Sequence, residues 1–224
     1  MLEFKEDLQC PLTDLKKFFT GVILAPIVPL ALGYQLKCAS TTRKKLPEWT
    51  GFKKLFLNGL YGSIISLAFV LPSLLVFLFV SFLTEKSFFD AFLVSLLDPG
   101  SIMELITFSL SSSMSLTLGF MVSTILFLFG LYLTPLALTK FALGGKNSLE
   151  TLEEIFLKSL SSSYLLSFLI VSALAIIVFL LFVSVSLPLF DELRVYLFLA
   201  FFLLDGFFFG IVLFNRLGRL YHEF

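Results

Sequence analysis

Five apolar runs decide what this chain can fold into: Phe18 to Leu36, Leu55 to Thr84, a long stretch between Leu105 and Thr139, Tyr164 to Leu187, and Val195 to Phe214. A helix rises about 1.5 Å per residue, so about 20 apolar residues cross roughly 30 Å of hydrocarbon. With 58% hydrophobic residues, 30 Phe, 14% charged residues and a mean hydropathy of +1.01, the chain belongs among integral membrane proteins. The expected fold is all-α, with four transmembrane helices and an N-terminal re-entrant or kinked helical hairpin. One polytopic membrane domain, 1–224, is expected: an N-terminal hairpin with a cytoplasmic elbow (1–54), a first helical hairpin (55–143) and a second (144–224).

Lys and Arg beside the runs set the threading, since basic loops stay in the cytoplasm. The segment 37–54 holds Lys37, Arg43, Lys44, Lys45, Lys53 and Lys54, whereas 85–104 holds Lys86 against Glu85, Asp90, Asp98 and Glu104. The first is therefore read as cytoplasmic and the second as outside. Lys140, Lys146 and Lys158 return the chain inside, Asp191 and Glu192 with Arg194 mark an outer turn, and Arg216 with Arg219 keep the C-terminus cytoplasmic.

The first run departs from this alternation, being flanked by Lys5, Lys16 and Lys17 before it and by lysines after it. It lacks a small-residue cleavage pattern and its preceding segment is long and acidic, so it is read as mature structure rather than a secretory signal. Pro26 and Pro29 interrupt it, each removing a backbone donor. A re-entrant hairpin satisfies both the charges and the prolines and puts the N-terminus in the cytoplasm; a kinked full crossing, with the N-terminus outside, is the alternative.

Between the first two runs lies TTRKKLPEWTGFKK, Thr41 to Lys54, with the single Trp of the chain. Trp favours the headgroup level and Lys attracts anionic lipid there. Pro47, Glu48 and Trp49 are accordingly read as an interfacial anchor, with Thr50 as the cap of the following helix; a docking surface for a partner or a lipid headgroup is the functional alternative. A second elbow, Ser148 to Leu160, carries Thr151 and Glu154 at capping-box spacing, and Gly144 with Gly145 is expected to end the helix before it. The two elbows lead into similar sequences: Phe56, Leu57 and Leu60 recur as Phe156, Leu157 and Leu160, and Pro29 to Leu32 recurs as Pro135 to Leu138. Read as a duplication, these give two parallel hairpins.

Asp205, in FFLLDGFFFG, is the acid set deepest in an apolar run. It lies eleven residues after Arg194, about 16 Å along a helix. A carboxylate at that depth is a functional-site candidate by default. Lys140 is the conceivable basic partner, though it falls nearer the cytoplasmic end; the bland reading is a neutral Asp bonded to a hydroxyl of a neighbouring helix. The hydroxyl-rich stretches SLSSSMSLT and SLSSSY are read as helix contacts rather than pore lining. Cys10, Cys38 and His222 have no metal-type spacing, and no catalytic, phosphate-loop or divalent-metal pattern occurs. No catalytic residue, cofactor or metal is expected, and the chain is read as a non-enzyme. Sixteen basic and sixteen acidic residues cancel, which argues against nucleic acid. The expected partners are the lipid bilayer and other membrane subunits or a second copy.

The run ending LGYQL, the basic linker, LPEW followed by FLNGL, then PLAL and a polar linker, and the terminal LGRLY together resemble the prokaryotic, largely archaeal, membrane family catalogued as domain of unknown function 4013. Gly33–Tyr34, Leu46 to Trp49 and Gly218 to Tyr221 carry the likeness most clearly. Where that family usually has acidic residues after the Trp, this chain has Thr50 and Gly51. The resemblance implies a multi-pass cell-membrane protein and no functional residues. Two functions remain in view: a scaffold or accessory subunit of a membrane complex, and a small transporter or channel using Asp205 for ions or protons.

Overall fold

The computed structural model describes residues 2–41, 45–84, 114–144, 149–186 and 191–223. Among them every regular element is helical: α1 (Leu2–Gln9), a 3₁₀ turn (Cys10–Thr13), α2 (Leu15–Leu24), α3 (Val28–Thr41), α4 (Phe52–Thr84), α5 (Met114–Ala142), α6 (Leu149–Ser159), α7 (Ser162–Ser186) and α8 (Asp191–Glu223). Four of these helices are long and apolar enough to cross a membrane, over Phe52–Val80, Leu118–Ala142, Ser162–Ser184 and Tyr196–Tyr221. The chain divides into two compact units, Met1–Ile65 with Leu133–Phe224, and Ser66–Tyr132.

In the first unit the first apolar run is divided between two helices, α2 and α3. Asp14 caps α2 by accepting the Lys17 backbone N–H at 3.2 Å. The chain then turns at residues 25–27, and Pro29 falls in the first turn of α3, where its missing donor has no intrahelical partner to lose. The reversal is visible in one residue of α8: the Phe207 ring lies 5.9 Å from Phe18 of α2 and 6.0 Å from Tyr34 of α3. One straight helix would separate Phe18 from Tyr34 by about 24 Å. Around this contact Cys10, Ala25, Ala31, Cys38, Leu46 and Ile211 form the main buried cluster.

Two glycines let α3 cross α4 almost backbone to backbone. A Cβ on Gly33 would stand 1.9 Å from the Leu55 carbonyl oxygen, and one on Gly59 would stand 1.6 Å from that of Pro29. Small residues at a crossing permit this approach, and the tight packing replaces a hydrophobic drive that lipid does not supply. Helices α7 and α8 pair antiparallel, with Phe182 stacked on Phe201 at 3.8 Å, Phe179 edge-on to Phe198 at 5.2 Å, and Val171 clustered with Phe209 and Val212.

Helix ends follow local chemistry. Gly144 takes a φ of 84° just past α5, and its N–H bonds the Phe141 carbonyl at 3.1 Å, a left-handed stop that fits the expected role; Gly145 lies outside the described residues. Thr50 is not the cap of α4: Gly51, with φ 73°, precedes the helix, and the Thr50 hydroxyl lies 3.4 Å from the Lys37 ammonium. Thr151 is likewise not an N-cap, because α6 already begins at Leu149. In SLSSSY, Ser161 instead caps α7, its hydroxyl oxygen accepting the Tyr164 N–H at 3.3 Å.

In the second unit, 66–132, the described parts of α4 and α5 meet through small residues. The Ser123 hydroxyl donates to the Ser73 carbonyl at 2.8 Å, and a Cβ on Gly130 would stand 2.4 Å from the Phe69 carbonyl oxygen. Pro72 and Pro135 sit inside these helices without ending them. The first part of the long third run and most of SLSSSMSLT lie outside the described residues.

Candidate functional site

Among the described residues three polar clusters fasten the elements of the first unit, and the expected anchor residues form one of them. The Trp49 ring stacks on Tyr34 with centroids 3.9 Å apart, and its indole N–H donates to the Lys17 carbonyl at 2.9 Å. The Tyr34 hydroxyl donates to the Pro47 carbonyl at 2.8 Å. Lys17 bridges the Glu48 carboxylate at 2.7 Å and the Asp14 carboxylate at 3.1 Å, while the Lys37 ammonium donates to the Glu48 carbonyl at 2.6 Å. The Glu48 hydrogen bond, then that of Asp14, raises the Lys17 pKa; the Lys17 backbone N–H is the main cause that lowers that of Asp14. Pro47, Glu48 and Trp49 thus bind the elbow to the α2–α3 hairpin.

At the second elbow Glu154 of α6 accepts from Lys140 at the end of α5, from Lys158 one turn along at 3.0 Å, and from the Tyr221 hydroxyl of α8 at 2.8 Å. The Lys158 ammonium stands 3.5 Å above the Tyr221 ring, a cation–π contact. The Lys140 hydrogen bond leads the effects that hold the Glu154 carboxyl down at about 2.

The third cluster joins the two ends of the chain. Asp7 of α1 is wholly buried, accepts from Asn215 at 2.9 Å and from Arg219, and lies 3.7 Å from Arg216. Arg216 reaches on to the Ser167 hydroxyl of α7 at 3.5 Å. Arg216 and Arg219 carried only a threading signal in the sequence, and Asp7 carried none. A polar residue on a short amphipathic helix pairing with an i, i+3 arginine pair is the one trace of this contact, and nothing local connects residues 208 positions apart. Beside the cluster, burial and then Asp7 push the Cys10 thiol up to about 11; burial also raises Cys38. Both thiols are free and buried.

Asp205 stands apart from these clusters. It is 8% exposed, among Leu203, Leu204, Gly206 and Phe207 in sequence, and among the described residues it has no hydrogen-bond or ion-pair partner. Lys140 does not reach it. Lys140 lies 5.5 Å from the Tyr221 ring, and Tyr221 is about 24 Å along α8 from Asp205. An apolar cavity of 220 Å³ between the hairpin and α8 is lined by Ala25, Leu32, Gln35, Phe202 and Phe207 among others, without Asp205. Among the described residues no three His, Cys, Asp or Glu side chains gather as a metal site would need.

The model of the family described as protein of unknown function (DUF4013) matches residues 18–187. The chain belongs to this family. No curated protein and no solved structure matches the chain. The DUF4013 match takes in most of α2, all of α3, both elbows and α7, and so includes Trp49, Lys140 and Glu154. Asp205 and the whole Asp7 cluster except Ser167 lie outside the matched segment.

Proposed function

We propose that this DUF4013 protein is a non-enzymatic multi-pass scaffold or accessory subunit of a complex in a prokaryotic cell membrane. The observation that carries the reading is the use made of its charged side chains. Lys17, Glu48, Lys140, Glu154, Asp7, Arg216 and Arg219 fasten one helix or elbow to another through ion pairs and hydrogen bonds, and Lys158 does so over the Tyr221 ring. Among the described residues none of these groups reaches Asp205. Helix α7 meanwhile presents large apolar side chains outward, among them Leu166, Leu169, Ile176 and Leu180, a surface suited to lipid or to helices of a partner or a second copy.

The contact of Asp7 with Asn215 and Arg219 supports a threading with both termini on one side, and the basic loops support the cytoplasm as that side. The first apolar run then enters and leaves by the same face, its turn at residues 25–27.

One observation favours a second reading, a small transporter or channel: Asp205 is buried in a span with no partner among the described residues, and such a group marks ion or proton handling. Extraction in mild detergent with mass spectrometry of co-purifying subunits tests the first reading. Stoichiometric recovery of membrane subunits, kept by Asp205→Asn, supports a scaffold. Recovery of the chain alone, with proton or cation flux in vesicles that Asp205→Asn removes, supports the carrier and overturns the scaffold.

A further inference from the structure

A cavity of 640 Å³ opens where α3, the elbow, the start of α4 and the end of α5 meet, with Lys37, Thr50, Lys54 and Asn58 on its polar wall. Among the described residues its polar wall holds two ammonium groups, three hydroxyls and an amide, and no carboxylate. The Lys37 ammonium is held in place by the Glu48 carbonyl at 2.6 Å and the Thr50 hydroxyl at 3.4 Å. Lys54 is exposed on the first turn of α4. Leu55 N–H already bonds the Gly51 carbonyl at 3.0 Å, whereas the amides of Phe52, Lys53 and Lys54 precede the first intrahelical bond and add positive potential there. The remaining wall, Leu36, Leu55, Phe141 and Ala142, is apolar.

We propose that this cavity binds a phosphate group, the headgroup phosphate of an anionic phospholipid, with Lys37 and Lys54 supplying the charge, Thr50 and Asn58 the hydrogen bonds, and the apolar wall meeting the glycerol and first acyl carbons. The size suits a headgroup, and donors of one sign beside an apolar wall match the boundary between lipid phosphate and chain. The site is independent of the scaffold reading, and either can fail without the other.

The test reconstitutes the full chain in nanodiscs of phosphatidylcholine and phosphatidylglycerol, transfers it to detergent, and counts retained lipid by native mass spectrometry. The wild type is expected to retain phosphatidylglycerol selectively, and Lys54→Gln to reduce that retention about fivefold, the effect of one lysine at an anionic surface. Asn58→Leu removes a hydrogen bond without removing charge and is expected to weaken retention as well. Lys53→Gln is the control: it is exposed on the same turn and carries the same charge, but lies off the cavity wall. Equal losses in Lys53→Gln and Lys54→Gln, or equal retention of both lipids with no response to inorganic phosphate, overturn the proposal. A rise in Tm with inorganic phosphate that Lys54→Gln abolishes, without lipid selectivity, upholds the phosphate site and moves its source from the bilayer to solution.

Discussion

Asp7 and Glu6 are neighbours on α1 and both approach Arg219, yet they should differ sharply in their contribution to stability. The Asp7 carboxylate is wholly buried with Arg219 and Asn215, whereas Glu6 is 40% exposed and 3.6 Å from Arg219. Removing one partner of a buried pair leaves the other charge uncompensated at a cost of about 3–5 kcal/mol, while an exposed pair contributes about 0–1 kcal/mol. Asp7→Ala is therefore expected to lower Tm clearly and Glu6→Ala hardly at all, with a second readout in Cys10. That thiol, buried and held near 11, should resist maleimide in the wild type and in Glu6→Ala, and react once α1 undocks in Asp7→Ala. Glu154 gives a pH signature at the same scale. Its carboxyl is held at about 2 against an ordinary 4.5, so its partners favour the ionised form. The stability it contributes is complete above about pH 4.5 and fades as pH falls toward about 2. The side chain is 35% exposed, so screening by water keeps the effect small. Thermal unfolding between about pH 3 and pH 7 should show a decline in the wild type that Glu154→Gln lacks.

The four long helices were legible in the sequence because hydropathy is a local property, and each observed span overlaps an apolar run. Their exact starts were less so. Thr50 has the chemistry of a cap, but Lys37, thirteen residues earlier, approaches its hydroxyl, and Gly51 makes the entry into α4 instead. Thr151 met the same fate for a different reason, since α6 extends two residues further toward its N-terminus. Pro26 and Pro29 were readable as breakers, whereas Pro72 and Pro135 are accommodated within helices; Pro type alone does not decide, because neighbouring groups can satisfy the backbone a proline frees. The α3–α4 crossing was invisible, as no pattern within either segment names Gly33 as the partner of Gly59. It makes a direct prediction. Gly59→Ala would drive a methyl into the Pro29 carbonyl, and forced overpacking costs about 1–3 kcal/mol. Gly206→Ala meets nothing within 4 Å and replaces a poor helix former by a good one, so it should leave Tm unchanged or slightly raised. Thermal unfolding of the two variants in the same detergent separates a packing effect from a helix-propensity effect.

At the scale of the molecule, the candidate site divides in the same way between local and distant information. Asp205 and the Trp49 elbow stood out because one is an acid in an apolar run and the other a basic, aromatic break between two runs. The partners that give them meaning come from elsewhere: Tyr34 and Lys17 for Trp49, and for Asp205 none among the described residues. Nor could spacing show that Lys140 is taken by Glu154, or that Asp7 meets a pair of arginines at the other end of the chain. That last contact makes threading testable with cysteine labelling. Cys10 and Cys38 are buried free thiols, so the wild type is a quiet background for an impermeant maleimide. Lys5 and Lys53 are exposed in the first unit, and Lys86 belongs to the acidic loop expected on the far side. If Asp7 and Arg219 meet as described, Lys5→Cys and Lys53→Cys should be protected together in intact cells and labelled together in inverted vesicles, with Lys86→Cys the reverse. A kinked full crossing of the first run would put Lys5→Cys with Lys86→Cys, and in that arrangement Asp7 would stand across the bilayer from Arg219. The side on which Lys5 labels therefore decides between a re-entrant hairpin and a fifth crossing, independently of what the protein binds.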